Sequence, residues 1–263
     1  MAQPRISLIL PAKEEEENLR PLADEIRAAL EGKFDYEVIV VDDGSTDRTA
    51  EVARTLSAEN PRIRLVRLAK NQGQTAALFA GFREAQGEIL ASMDADLQSD
   101  PADLPRLVSL IGEWDAVCGY RKKRRAGDTF FRLAMSKIGN GVRRRFTRDS
   151  FRDSSCTFRA FRRACVENLQ PFTGLHRFLP ILIQAQGFRV AETEVANRPR
   201  HSGKSKYGLR NRVFRALHDL FAVRWMLKRW IRLDVGERAG KGLPERNDPA
   251  PLSGATPPPR PVP

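Results

Sequence analysis

Val40-Val41-Asp42-Asp43-Gly44-Ser45-Thr46-Asp47 is the stretch that decides how this chain folds. An apolar run that stops at two carboxylates and a glycine reads as a buried strand ending in a turn. A second stretch, Asp94-Ala95-Asp96-Leu97-Gln98, repeats the arrangement after the apolar run Ile89–Met93. Outward from these, similar runs stand at Ile6–Leu10, Ile63–Leu68 and Ala116–Cys118. Between them Leu19, Leu22, Ile26 and Leu30, then Ala50, Ala53 and Leu56, then Ala77, Ala80 and Phe82 recur at helical spacing. Strand and helix in alternation imply right-handed crossovers and an α/β fold, a parallel sheet covered by helices on both faces. Ligands of such open sheets sit outside the carboxyl ends of the strands, so both acidic stretches belong to one functional edge.

The 263 residues are 41% hydrophobic, which supplies one sizeable core and excludes a chain disordered throughout. Their net charge of +12 divides unevenly: residues 1–118 carry 13 basic and 22 acidic side chains, the remainder 32 and 11. The chain is two electrostatic halves, and the basic one calls for an anionic partner. Cys118, Cys156 and Cys165 have no paired spacing, so neither a disulfide framework nor a zinc site is expected. No secretory leader precedes Ile6, and no uncharged apolar run approaches the roughly 18 residues of a spanning helix. The expected location is cytoplasmic, peripherally associated with the inner face of the membrane. In the basic half the pattern predicts helices around Thr129–Arg145, Phe161–Leu169 and Phe178–Gln186, a strand at Arg189–Val195, and a basic amphipathic helix over 209–233. Residues 234–263 hold eight of the seventeen prolines and read as a disordered tail.

For Asp42–Asp47 the plain reading is a turn whose Ser45 or Thr46 caps the next helix. Asp94, Asp96 and Gln98 are more specific, because alternate residues of an extended segment point the same way and offer three hard oxygen ligands. Mg²⁺ or Mn²⁺ suits them.

In order, Pro11-Ala12-Lys13-Glu14-Glu15, the Val40–Asp47 stretch, Asn71-Gln72-Gly73 and Asp94–Gln98 resemble the nucleotide-sugar half of family 2 glycosyltransferases, above all the dolichyl- and polyprenyl-phosphate sugar synthases. The resemblance runs over roughly residues 5–208, taken as one catalytic domain whose nucleotide-sugar half is 1–118 and acceptor half 119–208. It implies the Rossmann-like GT-A fold. It further implies that Pro11, Ala12 and Glu14 line the nucleotide pocket, that Asp43 meets the base or ribose, that Asp94 lies near the diphosphate and sugar, and that Asp96 and Gln98, with Asp94, hold the metal. Lys13 stands where relatives often carry an aromatic residue.

By the same resemblance Gly119-Tyr120-Arg121, then Arg132, Ser136, Gly139 and Asn140, then Asp153–Arg159 match acceptor-half motifs, with Cys156-Thr157 replacing a Ser-Gly pair. Arg198-Pro199-Arg200-His201-Ser202-Gly203-Lys204-Ser205-Lys206 is similar to the loop that clamps the acceptor phosphate, and assigns that role to Lys206 and to Arg200, with Arg198 the alternative. Arg121, Arg132, Arg200 and Lys206 join Asp94 as the expected catalytic groups. The span 154–191 holds one acid, Glu167, so the base needed to deprotonate a hydroxyl acceptor is missing. A phosphate monoester, with a second pKa near ~6, needs no base. The expected reaction is inverting transfer from a GDP- or UDP-sugar to polyprenyl phosphate, with an unrecognised base and a saccharide hydroxyl as the alternative. A basic nucleic-acid-binding protein is the alternative of another class, though no nucleic-acid motif is present and none is expected as a partner. Leu217, Phe221 and Trp225 interleaved with Arg215, Arg224 and Lys228 suit an anionic membrane surface; the competing reading is a helix docked on the domain with its basic residues outward.

Overall fold

The computed structural model describes residues 6–121, 139, 141–199 and 209–231, with side chains from 217 onward in the last helix. Five strands arise from the five apolar runs: β1 (Ile6–Ala12), β2 (Tyr36–Asp42), β3 (Ile63–Arg67), β4 (Ile89–Ser92) and β5 (Ala116–Arg121). Helices α1 (Leu19–Leu30), α2 (Thr49–Glu59), α3 (Gln74–Glu84) and α4 (Leu104–Ser109) connect them. β6 (Arg159–Arg162), α6 (Ala164–Glu167), α7 (Leu179–Ala185), β7 (Val190–Val195) and α8 (Leu209–Arg229) follow. Residues 141–147, α5, overlap the end of the helix expected over 129–145 and run two residues past it; the rest of that helix apart from residue 139 is outside the described residues, as is the 234–263 tail.

The seven strands run in the order β3-β2-β1-β4-β6-β5-β7. Every pairing is parallel except those of β6, which is antiparallel to both β4 and β5. The helix expected over Phe161–Leu169 is therefore corrected: Phe161 is in a strand, and only Ala164–Glu167 is helical. The reason is burial on both sides. Phe158 and Ala160 enter one core while Phe161 enters the other, so the run lacks the polar alternation that marks a half-exposed strand.

Alternation along β1 and β2 divides the apolar residues between two cores. Ile6, Leu8, Leu10, Val38 and Val40 pack with Leu22, Ile26 and Leu30 of α1 and with Ala53 and Leu56 of α2. Ile9, Ile39 and Val41 pack with Ala77, Leu78 and Phe82 of α3, Leu182 of α7, and Leu220 and Val223 of α8. At about 1.5–3 kcal/mol for each fully buried large apolar side chain, these two layers fix the sheet and leave its carboxyl edge free for loops.

Candidate active site

The register of the sheet places the acidic motifs side by side. Ala12 at the end of β1 lies opposite Asp42 at the end of β2, and Ile9 lies opposite Ser92 at the end of β4. β5 runs parallel to β7, with Arg121 opposite Val195. The loops carrying Glu14, Asp43, Asp94, Asp96, Gln98 and Arg121 therefore share one edge, the expected one, with Pro11 and Ala12 closing β1 there. Arg132, Arg200 and Lys206 lie outside the described residues.

The first two loops interlock. Lys13 Nζ donates to the Gly44 carbonyl at 2.7 Å and pairs with Glu14 at 3.3 Å. Glu14, held at φ 57°, donates its N–H to Ser45 Oγ at 2.9 Å and accepts from the Thr46 hydroxyl at 3.0 Å. Ser45 and Thr46 thus bind the β1 loop and do not cap α2. The N-cap position of α2 is Arg48, which has no side-chain cap; Asp47, just ahead of it, accepts from Thr49 N at 3.0 Å and so satisfies the first free N–H of the helix.

Asp42 is fully buried, accepting from Ser45 N and from Arg67 Nε at 3.1 Å. Its neighbour Asp43, also buried, accepts Gln72 N at 2.7 Å and Gly73 N at 2.9 Å, one on each oxygen. Its structural work is to hold the Asn71-Gln72-Gly73 turn against the edge, and each oxygen's second lone pair is what it has for a ligand.

Asp94 accepts from Gln74 Nε2 at 2.8 Å. Burial and then the neighbouring Asp96 carboxylate push its pKa up, against the Thr157 hydroxyl and the Arg121 and Arg159 cations. Two carboxylates that repel one another in a partly dehydrated site, followed by an amide oxygen at Gln98, form a hard-oxygen donor set that a divalent cation would relieve, so the residues fit Mg²⁺ or Mn²⁺. Among the described residues no cluster of three or more His, Cys, Asp or Glu is placed to bind a metal, so water or substrate oxygens would complete the coordination of any ion there. Leu97, at φ 60°, turns the chain between Asp96 and Gln98, and Gln98 N donates back to Asp96 Oδ1 at 3.2 Å.

Two basic residues have defined roles. Arg121 makes a fork to Asp153, at 2.7 and 3.1 Å, and also reaches Ser155 Oγ. Burial opposes its charge, but the Asp153 pairing outweighs that and raises its pKa, so the guanidinium stays ionised beside Asp94. Arg198 pairs with Glu25 at 2.7 Å and Asp100 at 2.6 Å, and its N–H binds the Gln98 carbonyl at 2.8 Å. It roots the basic loop on the metal-motif segment and its charge is already matched.

Four groups escaped the sequence reading as site residues. Gln74 and Thr75 follow directly on Asn71-Gln72-Gly73, and that adjacency was their signal. Asp153 and Arg159 stood inside a quoted motif without a role. Arg159 is buried at 1% exposure, and its guanidinium donates to the backbone carbonyls of Ser154 at 2.8 Å and His176 at 2.9 Å.

Comparison with known proteins follows the same lines. The profile of glycosyl transferase family 2 matches residues 7–170. A dodecaprenyl-phosphate galacturonate synthase of Rhizobium johnstonii is 36% identical over 85% of this chain and 67% of its own length. An undecaprenyl-phosphate 4-deoxy-4-formamido-L-arabinose transferase of Edwardsiella ictaluri is 36% identical over 82% of this chain and 66% of its own. The chain thus spans about two thirds of the length of these relatives. The fold matches that of a glucosyl-3-phosphoglycerate synthase from Mycobacterium tuberculosis, crystallised with Mn²⁺, uridine diphosphate and glucosyl-3-phosphoglycerate, at a TM-score of 0.61 and 21% identity over 89% of this chain and 82% of that one.

Proposed function

The chain belongs to glycosyl transferase family 2, and on that premise we propose that it transfers a sugar, with inversion, from a GDP- or UDP-sugar to a polyprenyl phosphate at the cytoplasmic face of a membrane. One observation carries the choice of acceptor. Within 154–191 the one carboxylate, Glu167, lies on α6, which follows the antiparallel strand β6. Arg162 at the end of β6 pairs with Ile89 at the start of β4, so Glu167 sits at the sheet edge opposite Asp94 and is exposed. It has no route to an acceptor hydroxyl. Asp153 nearer the site is engaged by Arg121 and by the Ser155 hydroxyl. An acceptor that arrives already ionised, as a phosphate monoester does with its second pKa near ~6, fits a site where neither Glu167 nor Asp153 is placed as a base.

In this reading Glu14 and Asp43 orient the nucleotide, and Asp94 orients the sugar so that its anomeric carbon faces the acceptor. A divalent cation held by Asp94, Asp96 and Gln98 would supply Lewis-acid stabilisation of the departing diphosphate. Arg121, fixed by Asp153, adds a permanent positive charge at the same edge, and Arg132, Arg200 and Lys206 are assigned to the acceptor phosphate. The name of the Rhizobium relative, a dodecaprenyl-phosphate galacturonate synthase, supports this acceptor class. Helix α8 supports contact with an anionic membrane surface: Leu217, Phe221 and Trp225, one turn apart, are 39%, 59% and 63% exposed, while Leu220 and Val223 on the other side dock on the core. Among the described residues no helix is long and apolar enough to cross a membrane.

The test is to incubate the purified protein and Mg²⁺ or Mn²⁺ with a panel of nucleotide sugars and a short polyprenyl phosphate, and to seek the glycosyl phospholipid by mass spectrometry. Transfer to a saccharide hydroxyl in place of the lipid phosphate would overturn the proposal.

A further inference from the structure

The amino end of α3 is where separate motifs meet. Gly73, just ahead of it, is held by Asp43; Gln74, its first residue, holds Asp94 at 2.8 Å. Thr75, its second residue and buried, joins a segment a hundred positions later: its hydroxyl lies 2.9 Å from His176 Nδ1 and accepts from Gly174 N at 3.2 Å. The His176 carbonyl is held in turn by buried Arg159. The next residue, Arg177, pairs at 2.8 Å with Asp219, the one acidic side chain among the twelve charged residues of 198–232. Gly174 makes this packing possible. It sits at φ +92°, and a Cβ there would lie 2.5 Å from the Arg177 guanidinium and 2.6 Å from the Asp219 carboxylate.

We propose that His176 is a positioning residue of the transfer site, acting through its Nδ1 contact to Thr75 and from there through the first turn of α3 to Asp94. The proposal rests on the transferase reading above but concerns a different link. Fixing Thr75 fixes the turn on which Gln74 stands, and Gln74 sets the orientation of the Asp94 carboxylate. Arg177 and Asp219 anchor the same short turn to α8, so the helix whose exposed stripe faces outward and the carboxylate site share one mechanical reference. The Arg177–Asp219 pair on one side and the bond from Arg159 to its own carbonyl on the other hold His176, which suits a group whose work is placement. The imidazole edge that matters here is Nδ1, and this separates the proposal from proton transfer or phosphate binding, which would use Nε2.

Asparagine places its amide close to the position of Nδ1, and glutamine places its amide close to that of Nε2. The proteins to compare are His176→Asn, His176→Gln, Thr75→Val and Thr75→Ser, each checked by thermal melting for a wild-type fold. Steady-state kinetics would be measured with the nucleotide sugar and short polyprenyl phosphate, and nucleotide-sugar affinity by calorimetry. The expected result is His176→Asn and Thr75→Ser within about threefold of wild type, and His176→Gln and Thr75→Val each reduced about tenfold in kcat with KM for the lipid phosphate little changed, about 1.4 kcal/mol of barrier. The pair His176→Gln/Thr75→Val should fall no further than the worse single variant, because both remove one link. The opposite order, glutamine active and asparagine impaired, or a loss seen in KM for the lipid, would overturn the proposal and make His176 a direct ligand. Should the wild-type protein itself not glycosylate the lipid phosphate, the transferase reading fails instead. The positioning claim is then read from calorimetry, where Gln and Val must weaken nucleotide-sugar binding and Asn and Ser must not.

Discussion

Replacing Gly44 by alanine tests whether the two acidic loops are coupled as the geometry describes. Gly44 has φ +63°, and a left-handed alanine costs about 1–2 kcal/mol by itself. The added Cβ would also sit 2.6 Å from Asn71 N and from the Lys70 carbonyl carbon, both backbone atoms, so no rotamer change relieves the clash. Residues 70–71 must move, and with them Gln72 N and Gly73 N, which donate to Asp43 at 2.7 and 2.9 Å. A hydrogen bond to a charged group contributes about 1.5–3 kcal/mol. The strain plus the loss of one of the two bonds gives a destabilisation of roughly 2.5–5 kcal/mol. Gly32→Ala is the control, since Gly32 has φ +72° and nothing within 4 Å of the added atom, leaving only the strain of about 1–2 kcal/mol. Urea unfolding of both variants, analysed with their m-values, measures the difference. Nucleotide-sugar affinity should fall in Gly44→Ala and hold in Gly32→Ala. Equal destabilisation of the two would refute the coupling of Gly44 to the 70–73 turn.

Three further outcomes are expected. Asp96→Asn should lower turnover about a hundredfold or more, the scale of losing a group that stabilises developing charge, and chelation of the divalent ion should do the same to the unaltered protein, with Mn²⁺ restoring only the latter. Glu37 is buried and, although burial works against its charge, hydrogen bonds from Ser7, Gln86 N and Arg64 hold its pKa below the usual carboxylate value. The stability it contributes is present above about pH 4.5 and is lost as pH falls through its lowered folded-state pKa, so denaturation curves of Glu37→Gln should depend less steeply on pH in that range than those of the parent. Replacing Leu217 and Trp225 together by serine should weaken sedimentation with anionic vesicles at least about tenfold while leaving the melting temperature nearly unchanged, because both side chains are solvent-exposed.

Much of the sheet was legible because each strand of the acidic half carries its own signal: an apolar run, then turn chemistry, repeated at intervals. The same signal put Asp42, Asp43, Asp94 and Asp96 where strands end, on the edge proposed for the site. β6 was not legible. Its residues serve both cores, Ala160 one and Phe161 the other, and with an arginine at each end, one of them buried, four residues offer no apolar period to read. Partnerships across long separations were also out of reach. Nothing local to Thr75 announces a bond to His176, and Ser45 looked like a cap because the spacing to α2 was visible while the approach of Glu14 N was not.

The division of charge between the two halves was visible, but its meaning changes once contacts are known. A net-basic segment following a net-acidic one suggests a surface that faces an anion with all its cations. The structure uses some of those cations on the acidic half. Arg198 spends its guanidinium on Glu25 and Asp100, 173 and 98 positions away in sequence, and its N–H on the Gln98 carbonyl. Burial opposes the charge on Asp100, but the Ala102 N–H and then the pairing with Arg198 hold its pKa down, and Asp100 and Glu25 raise that of Arg198 against burial, so both ends of the bridge favour charge. A cation matched twice has little left for a lipid phosphate, whereas an anchor at the root of a loop needs this double attachment. The choice between Arg198 and Arg200 therefore turns on where the counter-charges lie: Arg198 is fastened to Asp100 and to the Gln98 carbonyl, which supports the proposal that Arg200, with Lys206, meets the acceptor phosphate.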